Sequence, residues 1–111
     1  MASEELVGVE LVVLMVPDCP NAAALEERLA AVLAEYPAAV VRRRVVIDER
    51  AAAEAGMHGS PTLLVNGADP FAEPGQPPSL SCRLYRDGSD SAGPVPSVRE
   101  LRRVLAAAGD D

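Results

Sequence analysis

The chain is predicted to fold as a single α/β domain with the element order β-α-β-α-β-β-α. Two observations carry this prediction. A continuous apolar run at residues 11–16 is followed by a segment with helical periodicity, and a valine-rich segment at residues 39–47 comes next. The 111 residues are enough for one hydrophobic core, so residues 1–111 are taken as one domain with its core at about 6–108. We expect a monomer or a weak dimer.

The first strand is predicted at residues 6–16 and the first helix directly after it. Residues 9–16 are apolar except for Glu10, which suits a central strand covered on both faces, with Glu10 at its exposed start. The helix begins near Asn21 and is stopped by Pro37. Its predicted buried face consists of residues at helical spacing: Leu25, Leu29, Val32, Leu33 and Tyr36.

The remaining elements follow from turn and cap signals. A second strand is predicted at residues 39–47, a short alanine-rich helix at 48–54 that Gly56 ends, and a third strand at 62–65. Four prolines make residues 68–79 a long loop, and a fourth strand follows at 81–86. A polar turn at 87–93 and a capping box that begins at Ser97 lead to the last helix. Its predicted buried residues are Leu101, Val104, Leu105 and Ala108.

The predicted topology is a four-stranded mixed sheet flanked by helices. The right-handed crossover rule makes strands one to three parallel. The fourth strand is then antiparallel, as the hairpin partner of the third.

Charge and composition exclude several partners. The net charge is -7, and the ten basic residues are all arginine. Because nucleic acids select basic faces or aromatic platforms, and only three residues here are aromatic, no nucleic acid partner is expected. The one basic cluster, Arg42 to Arg44, alternates its side chains in a strand and is interpreted as a solvated edge.

Cysteine content and hydropathy indicate a cytoplasmic protein without a membrane segment. Two cysteines are too few for a secreted disulfide framework, and the first residues carry acids where a signal peptide needs bases. The longest apolar run, residues 11–16, is too short to cross a bilayer.

Cys19 lies between the first strand and the first helix. There it meets the free N–H groups and the positive dipole end of the helix, which favour a thiolate. The neighbouring Asp18 has two interpretations, because its carboxylate opposes a thiolate but is also a good helix cap. His58 and Met57 flank the later loop at residues 59–62, and a ring nitrogen near the thiol would stabilise a thiolate, although a solvated turn histidine is the favoured interpretation.

Two short motifs resemble the thioredoxin family. Cys19-Pro20-Asn21-Ala22 matches the first two positions of the active-site tetrad of that family, and Gly59-Ser60-Pro61-Thr62 is similar to its cis-proline loop. The resemblance implies a thioredoxin-like fold in which the two loops meet. It implies Cys19 as the nucleophile, a cis Pro61 beside it, and a substrate site of Pro20, Ser60, Pro61 and Thr62, with the Ser60 backbone pairing an extended substrate.

Ala22 stands where the thioredoxin family has its second cysteine. Alanine cannot release a substrate from a mixed disulfide, so three hypotheses remain. Cys19 acts alone in monothiol redox chemistry on a thiol or disulfide substrate; Cys19 acts with Cys82 as a distant resolving thiol; or the chain is a non-catalytic binding module. For the module, Phe71 in the proline-rich loop is either a partner contact or, as favoured, an anchor that packs back onto the domain. No cofactor is implied.

Cys82 lies early in the predicted fourth strand. If that strand is the hairpin partner of the third, its start lies at the opposite end of the sheet from Cys19, although the twelve-residue loop is long enough to fold back. A small buried residue on a strand is the favoured interpretation of Cys82.

Three segments together resemble short thioredoxin-like proteins often labelled alkylmercury lyase. They are residues 17–21, residues 59–67 and residues 81–86. The resemblance implies organomercurial lyase-like chemistry, for which Cys19, Cys82 and Asp18 supply the residue types. Because soft thiolates bind soft metals, a thiophilic metal held by Cys19 and Cys82 is the alternative to redox chemistry.

Overall fold

The computed structural model describes residues 9–86 and 92–109 and shows a mixed α/β fold. The predicted strand start at residues 6–8 and most of the predicted turn at 87–93 lie outside these residues. The elements are β1 (Glu10–Met15), α1 (Pro20–Leu33), β2 (Val40–Val45), α2 (Glu49–Ala55), β3 (His58–Ser60), β4 (Thr62–Val65), β5 (Ser79–Cys82), β6 (Tyr85–Arg86), β7 (Ala92–Gly93) and α3 (Val98–Gly109).

The main sheet of the described chain has three strands in the order β2-β1-β4, so the predicted four-stranded sheet is not found there. β1 and β2 are parallel, as predicted. β4 is antiparallel to β1, with Leu14 opposite Thr62 and Leu11 opposite Val65, so the prediction of three parallel strands was wrong.

The length of α2 explains the direction of β4. A helix of seven residues is about 10 Å long, whereas a six-residue strand is about 20 Å long. The chain therefore leaves α2 before it has returned along the whole sheet. It enters β4 near the end of β1 and runs back antiparallel.

The predicted fourth strand is divided in two, and neither part is a hairpin partner of β4. β5 pairs in parallel with β3, a three-residue strand that the sequence pattern did not indicate. β6 pairs with β7. The loop between β4 and β5 is long enough to turn the chain around, so β5 runs beside β3, which precedes β4 in the chain.

Both faces of β1 are buried, as its apolar sequence predicts. On one face, Leu11 and Val13 pack with the buried residues of α1 and α3 in the larger core cluster. On the other face, Leu14 packs with Val46, Ala52 and Met57 in a smaller cluster under α2. The core-facing residues predicted for α1 include Leu25, Leu29 and Val32, all of which are buried.

The edge strand β2 is exposed along all six of its residues, which confirms the solvated interpretation of the arginine cluster. Arg43 forms an ion pair with Glu26 of α1. Glu10 is exposed at the start of β1, as expected. None of the helices in the described residues is long and apolar enough to cross a membrane.

The predicted end of α2 at Gly56 and the predicted cap of α3 at Ser97 are present, and Asp48 is a further cap. Asp48 accepts a hydrogen bond from the N–H of Ala51 at the start of α2, and Gly56 ends that helix in the left-handed conformation with φ of 79°. At the start of α3, the Ser97 hydroxyl accepts from the Glu100 N–H at 3.1 Å. The carboxylate of Glu100 pairs with Arg103.

Candidate functional site

Cys19 lies at the end of a tight turn that connects β1 to α1. Its N–H donates to the carbonyl of Val16 at 3.3 Å, and the turn carries Pro17 at its second position and Asp18 with φ of 58° at its third. Pro followed by a residue of positive φ is the pattern of a type II turn. Cys19 itself is the N-cap residue of α1, and Pro20 occupies the first turn of that helix. The predicted position of Cys19, between the first strand and the first helix, is therefore confirmed.

Asp18 is exposed and is not the helix cap, so the capping interpretation was wrong. Asp and Asn tolerate positive φ better than most residues because their short polar side chains bond locally. The role that the structure gives Asp18 is therefore to form the turn that presents Cys19.

Ser60 is the side chain that meets Cys19. Its hydroxyl donates to the Cys19 Sγ at 3.0 Å, and its oxygen accepts from the N–H of Val16 at 3.1 Å. The Ser60–Pro61 peptide bond is cis, as the motif predicted. Ser60 is only 2% exposed, whereas Cys19 is half-buried, so the hydroxyl reaches the sulfur from the protein side.

The Ser60 hydroxyl makes one hydrogen bond as acceptor and one as donor. A serine hydroxyl has one proton to donate and lone pairs to accept with. The Val16 N–H uses one lone pair of the oxygen, and the hydroxyl proton is donated to the sulfur. A hydrogen bond to an ionised acceptor is stronger than one to a neutral acceptor. Ser60 thus supplies a hydrogen-bond donor to the Cys19 sulfur, the reactive atom of a cysteine.

Pro61 and Thr62 follow Ser60 in the chain. Both are buried, and Thr62 has no exposed surface. The Thr62 hydroxyl donates to the Gly59 carbonyl at 2.5 Å and accepts from the backbone N–H of His58 and from Arg83 Nη1, each at 3.2 Å. The buried Thr62 hydroxyl thus holds residues 58 and 59 and Arg83 together by hydrogen bonds. Pro20, the remaining residue of the predicted substrate site, is exposed.

His58 and Met57 point to structural roles. Met57 is fully buried in the smaller core cluster. His58 is half-buried in β3, and its Nδ1 lies 3.4 Å from the carbonyl of Pro77 in the proline-rich loop. The favoured interpretation of His58 as a solvated turn residue was wrong, because His58 lies in strand β3, which pairs with β5.

Cys82 lies at the same end of the main sheet as Cys19. It is the register partner of Ser60 in the parallel pair of β3 and β5, and Ser60 contacts Cys19. The expectation that Cys82 lies at the far end was therefore wrong, because β5 pairs with β3 and not with β4. Cys82 is exposed, which also overturns its interpretation as a buried strand residue. Both thiols are free.

β5 is hydrogen-bonded along one backbone edge of β3. The N–H of Ser79 donates to the Met57 carbonyl at 3.0 Å, and the N–H of Arg83 donates to the Ser60 carbonyl at 3.2 Å. The Ser60 carbonyl, expected to pair an extended substrate, is bonded here within the chain. A substrate strand at that edge would have to displace β5.

Arg83 anchors the end of β5 and was not predicted from the sequence. Its guanidinium is buried and bonds to Asp69 Oδ2 at 2.7 Å, to the Thr62 hydroxyl and to the carbonyl of Phe71 at 3.0 Å. It also lies 4.5 Å from the ring centre of Tyr85, a cation–π contact. An arginine in a strand next to an exposed cysteine gives no local sign of burial, so only the fold reveals this partner set.

Two aromatic side chains, Phe71 and Tyr85, pack next to Arg83. Phe71 packs edge-on against Tyr85 with ring centres 5.3 Å apart, and it also packs against the larger core. This confirms Phe71 as a loop anchor. The Tyr85 hydroxyl donates to the carbonyl of Pro61. Burial raises the pKa of Tyr85, and the nearby positive charge of Arg83 opposes part of that rise.

A separate cleft of about 490 Å³ lies between α1 and β2. Its lining residues include Leu29, Leu33 and Val41, and the ion pair of Glu26 with Arg43 lies at its wall. None of its lining residues is a cysteine, histidine, serine or threonine. The cleft therefore presents no thiol, imidazole or hydroxyl side chain.

No cluster of three or more His, Cys, Asp or Glu residues that would suit a metal ion is present within residues 9–86 and 92–109. Comparison of the chain with protein-family models, with curated proteins and with solved structures gives no match.

Proposed function

We propose that this protein is a small thioredoxin-like thiol protein in which Cys19 is the nucleophile of thiol–disulfide exchange. The observation that carries the proposal is the hydrogen bond from the buried Ser60 hydroxyl to the Cys19 Sγ. It supplies a directed donor to a half-buried sulfur at a helix N-terminus. Helix dipole and hydrogen bond both favour the thiolate.

The thioredoxin-like assignment is part of this proposal. It is supported by the β1-α1-β2 unit, by β4 antiparallel to β1, and by the meeting of the Cys19 turn with the loop that contains the cis Ser60–Pro61 bond. The free thiols suit a reducing compartment, so we place the protein in the cytoplasm.

The proposed reaction begins at an accessible sulfur. The Cys19 thiolate attacks one sulfur of a substrate disulfide, a Cys19 mixed disulfide forms, and the other substrate sulfur leaves as a thiolate. Ala22 is buried one turn into α1 and carries no thiol to complete the exchange from within that helix. Cys19 is thus the only nucleophile that the helix itself presents.

Replacing Ser60 with alanine tests the proposal. In a Cys82→Ser background, where Cys19 is the single thiol, we expect Ser60→Ala to slow alkylation by iodoacetamide at neutral pH by about five- to tenfold. This corresponds to the loss of about 1 to 1.4 kcal/mol of thiolate stabilisation from one hydrogen bond. The rate is measured by mass spectrometry over time.

Ser81→Ala is the matched control, because Ser81 is an exposed serine on β5 and its hydroxyl forms no hydrogen bond with Cys19. Its alkylation rate should equal that of the parent. If Ser60→Ala leaves the rate unchanged while circular dichroism shows a folded protein, the activated-thiol proposal fails.

A second candidate function is binding of a thiophilic metal such as Hg(II) by Cys19 and Cys82. The register of Cys82 with Ser60 favours it, since both thiols then border one serine. Native mass spectrometry with one equivalent of Hg(II) should show one metal per chain, with tight binding lost in both Cys19→Ser and Cys82→Ser. Equal retention by the two variants would exclude a shared site.

A further inference from the structure

We propose that Cys82 is the resolving thiol for Cys19, delivered by β5 and not by the helix. This inference rests on the proposed function of Cys19. It assigns the second thiol of the exchange to a strand that follows the proline-rich loop, about sixty residues along the chain from the usual place in α1.

The strand register and one hydrogen bond place both cysteines next to the same serine. Ser60 and Cys82 are direct partners in the β3–β5 pair, and neighbouring strands lie about 4.8 Å apart. Side chains of direct partners project to the same face of a ladder. Because the Ser60 side chain projects to the Cys19 sulfur, we infer that the Cys82 side chain projects to that side as well.

The anchoring of β5 keeps Cys82 in this register. The residue that follows it, Arg83, donates its backbone N–H to the Ser60 carbonyl and holds its guanidinium in the buried pair with Asp69. Gly59 lets the strands approach, since a Cβ there would lie 2.8 Å from the Cβ of Arg83. Arg83 and Gly59 are positioning residues in this proposal, and they act on the reaction only through Cys82.

Cys82 is free to react because its side chain is exposed while the next residue is fixed. A disulfide needs Cα atoms within about 4.4–6.8 Å. β5 is a short edge strand, and its pairing with β3 is irregular between the two registered pairs. A small shift of the residues around Cys82 therefore changes the distance between the Cys82 and Cys19 sulfur atoms.

The resolving step balances without another reactant. The Cys82 thiolate attacks the Cys19 sulfur of the mixed disulfide, the bond from Cys19 to the substrate breaks, and the substrate leaves as its second thiolate. Overall one substrate disulfide is reduced by two electrons to two thiols, and the protein gains a Cys19–Cys82 disulfide. Two molecules of a small cellular thiol, which are oxidised to their disulfide, return the protein to its dithiol form.

The test uses one equivalent of the aromatic disulfide 5,5′-dithiobis(2-nitrobenzoate) per chain at low protein concentration. The wild type should release about two equivalents of the coloured thiolate and end as a monomer lighter by two hydrogens, with Cys19 and Cys82 linked in the peptide map. Cys82→Ser should release about one equivalent and hold a stable mixed disulfide at Cys19. Ser81→Ala, the neighbouring exposed position on β5, should behave as the wild type.

The outcomes separate the two proposals. A wild-type protein that reacts quickly at Cys19 but keeps its mixed disulfide, or takes a second adduct on Cys82, overturns the resolving role and leaves the nucleophile intact. A linked product found only in dimers also overturns it. A protein in which Cys19 reacts no faster than Cys82 overturns both proposals.

Discussion

Replacing Arg83 with methionine is expected to lower the free energy of unfolding by about 3–5 kcal/mol. The side chains of Arg83 and Asp69 are only 3% and 5% exposed, so the substitution leaves the carboxylate buried without its cation. A domain of this size has a total stability of only about 5–15 kcal/mol, so the loss is a large part of it. The cation–π contact with Tyr85 is lost as well.

Urea denaturation followed by circular dichroism measures this loss. Arg99→Met is the control, because Arg99 is exposed on α3 and its replacement should change stability by less than about 0.5 kcal/mol. Asp69→Asn and the double variant complete a thermodynamic cycle. The double variant should be much less destabilised than the sum of the two single variants. A sum that is simply additive would show that the buried pair does not hold the loop.

Gly59→Ala is the second substitution with a large expected effect, a loss of about 2–5 kcal/mol. Two costs combine at this position. The φ angle of 126° is one that L side chains rarely adopt, and an added Cβ would lie 2.8 Å from the Arg83 Cβ and 3.2 Å from the Ser81 carbonyl oxygen. β5 must move away from β3 to make room, which also disturbs the register of Cys82.

Gly67→Ala separates the two costs of the Gly59 substitution. Gly67 also has a positive φ, 88°, but an added Cβ there meets no atom within 4 Å. It should lose only the backbone part, about 1–2 kcal/mol. Equal losses at the two glycines in thermal or urea unfolding would argue against close packing of β5 on β3.

The local elements of this fold could be predicted because their signals are local. The apolar run of β1, the helical spacing of α1, the caps of α2 and the turn after β4 each depend on a few neighbouring residues. The bounds of β4, residues 62–65, were predicted correctly. Its direction was not, since that depends on how far the short α2 carries the chain back along the sheet.

The pairing of β3 with β5 could not be predicted for a different reason. β3 has three residues, including a glycine, and no apolar alternation, and its partner lies beyond a long proline-rich loop. Pairings between distant segments leave little trace in either segment alone. The same limit hid the buried Arg83, because charged residues are almost never fully buried unless they are paired.

The candidate site was predicted in part. The motifs placed Cys19 at the helix start and Pro61 in a cis peptide bond, and both predictions are confirmed. For Ser60 the resemblance named only the backbone, whereas the side chain is what contacts the sulfur. The position of Cys82 was misjudged because it followed from the wrong strand pairing.

The most direct measurement of the central claim compares the two thiols of the native protein. Treat it with a sub-stoichiometric amount of iodoacetamide at neutral pH and locate the label by peptide mass spectrometry. Cys82 is the more exposed thiol, so accessibility alone would label it first. Activation by Ser60 and the helix N-terminus predicts label mainly on Cys19. Label mainly on Cys82, with Cys19 reacting no faster than an ordinary thiol, would contradict the account.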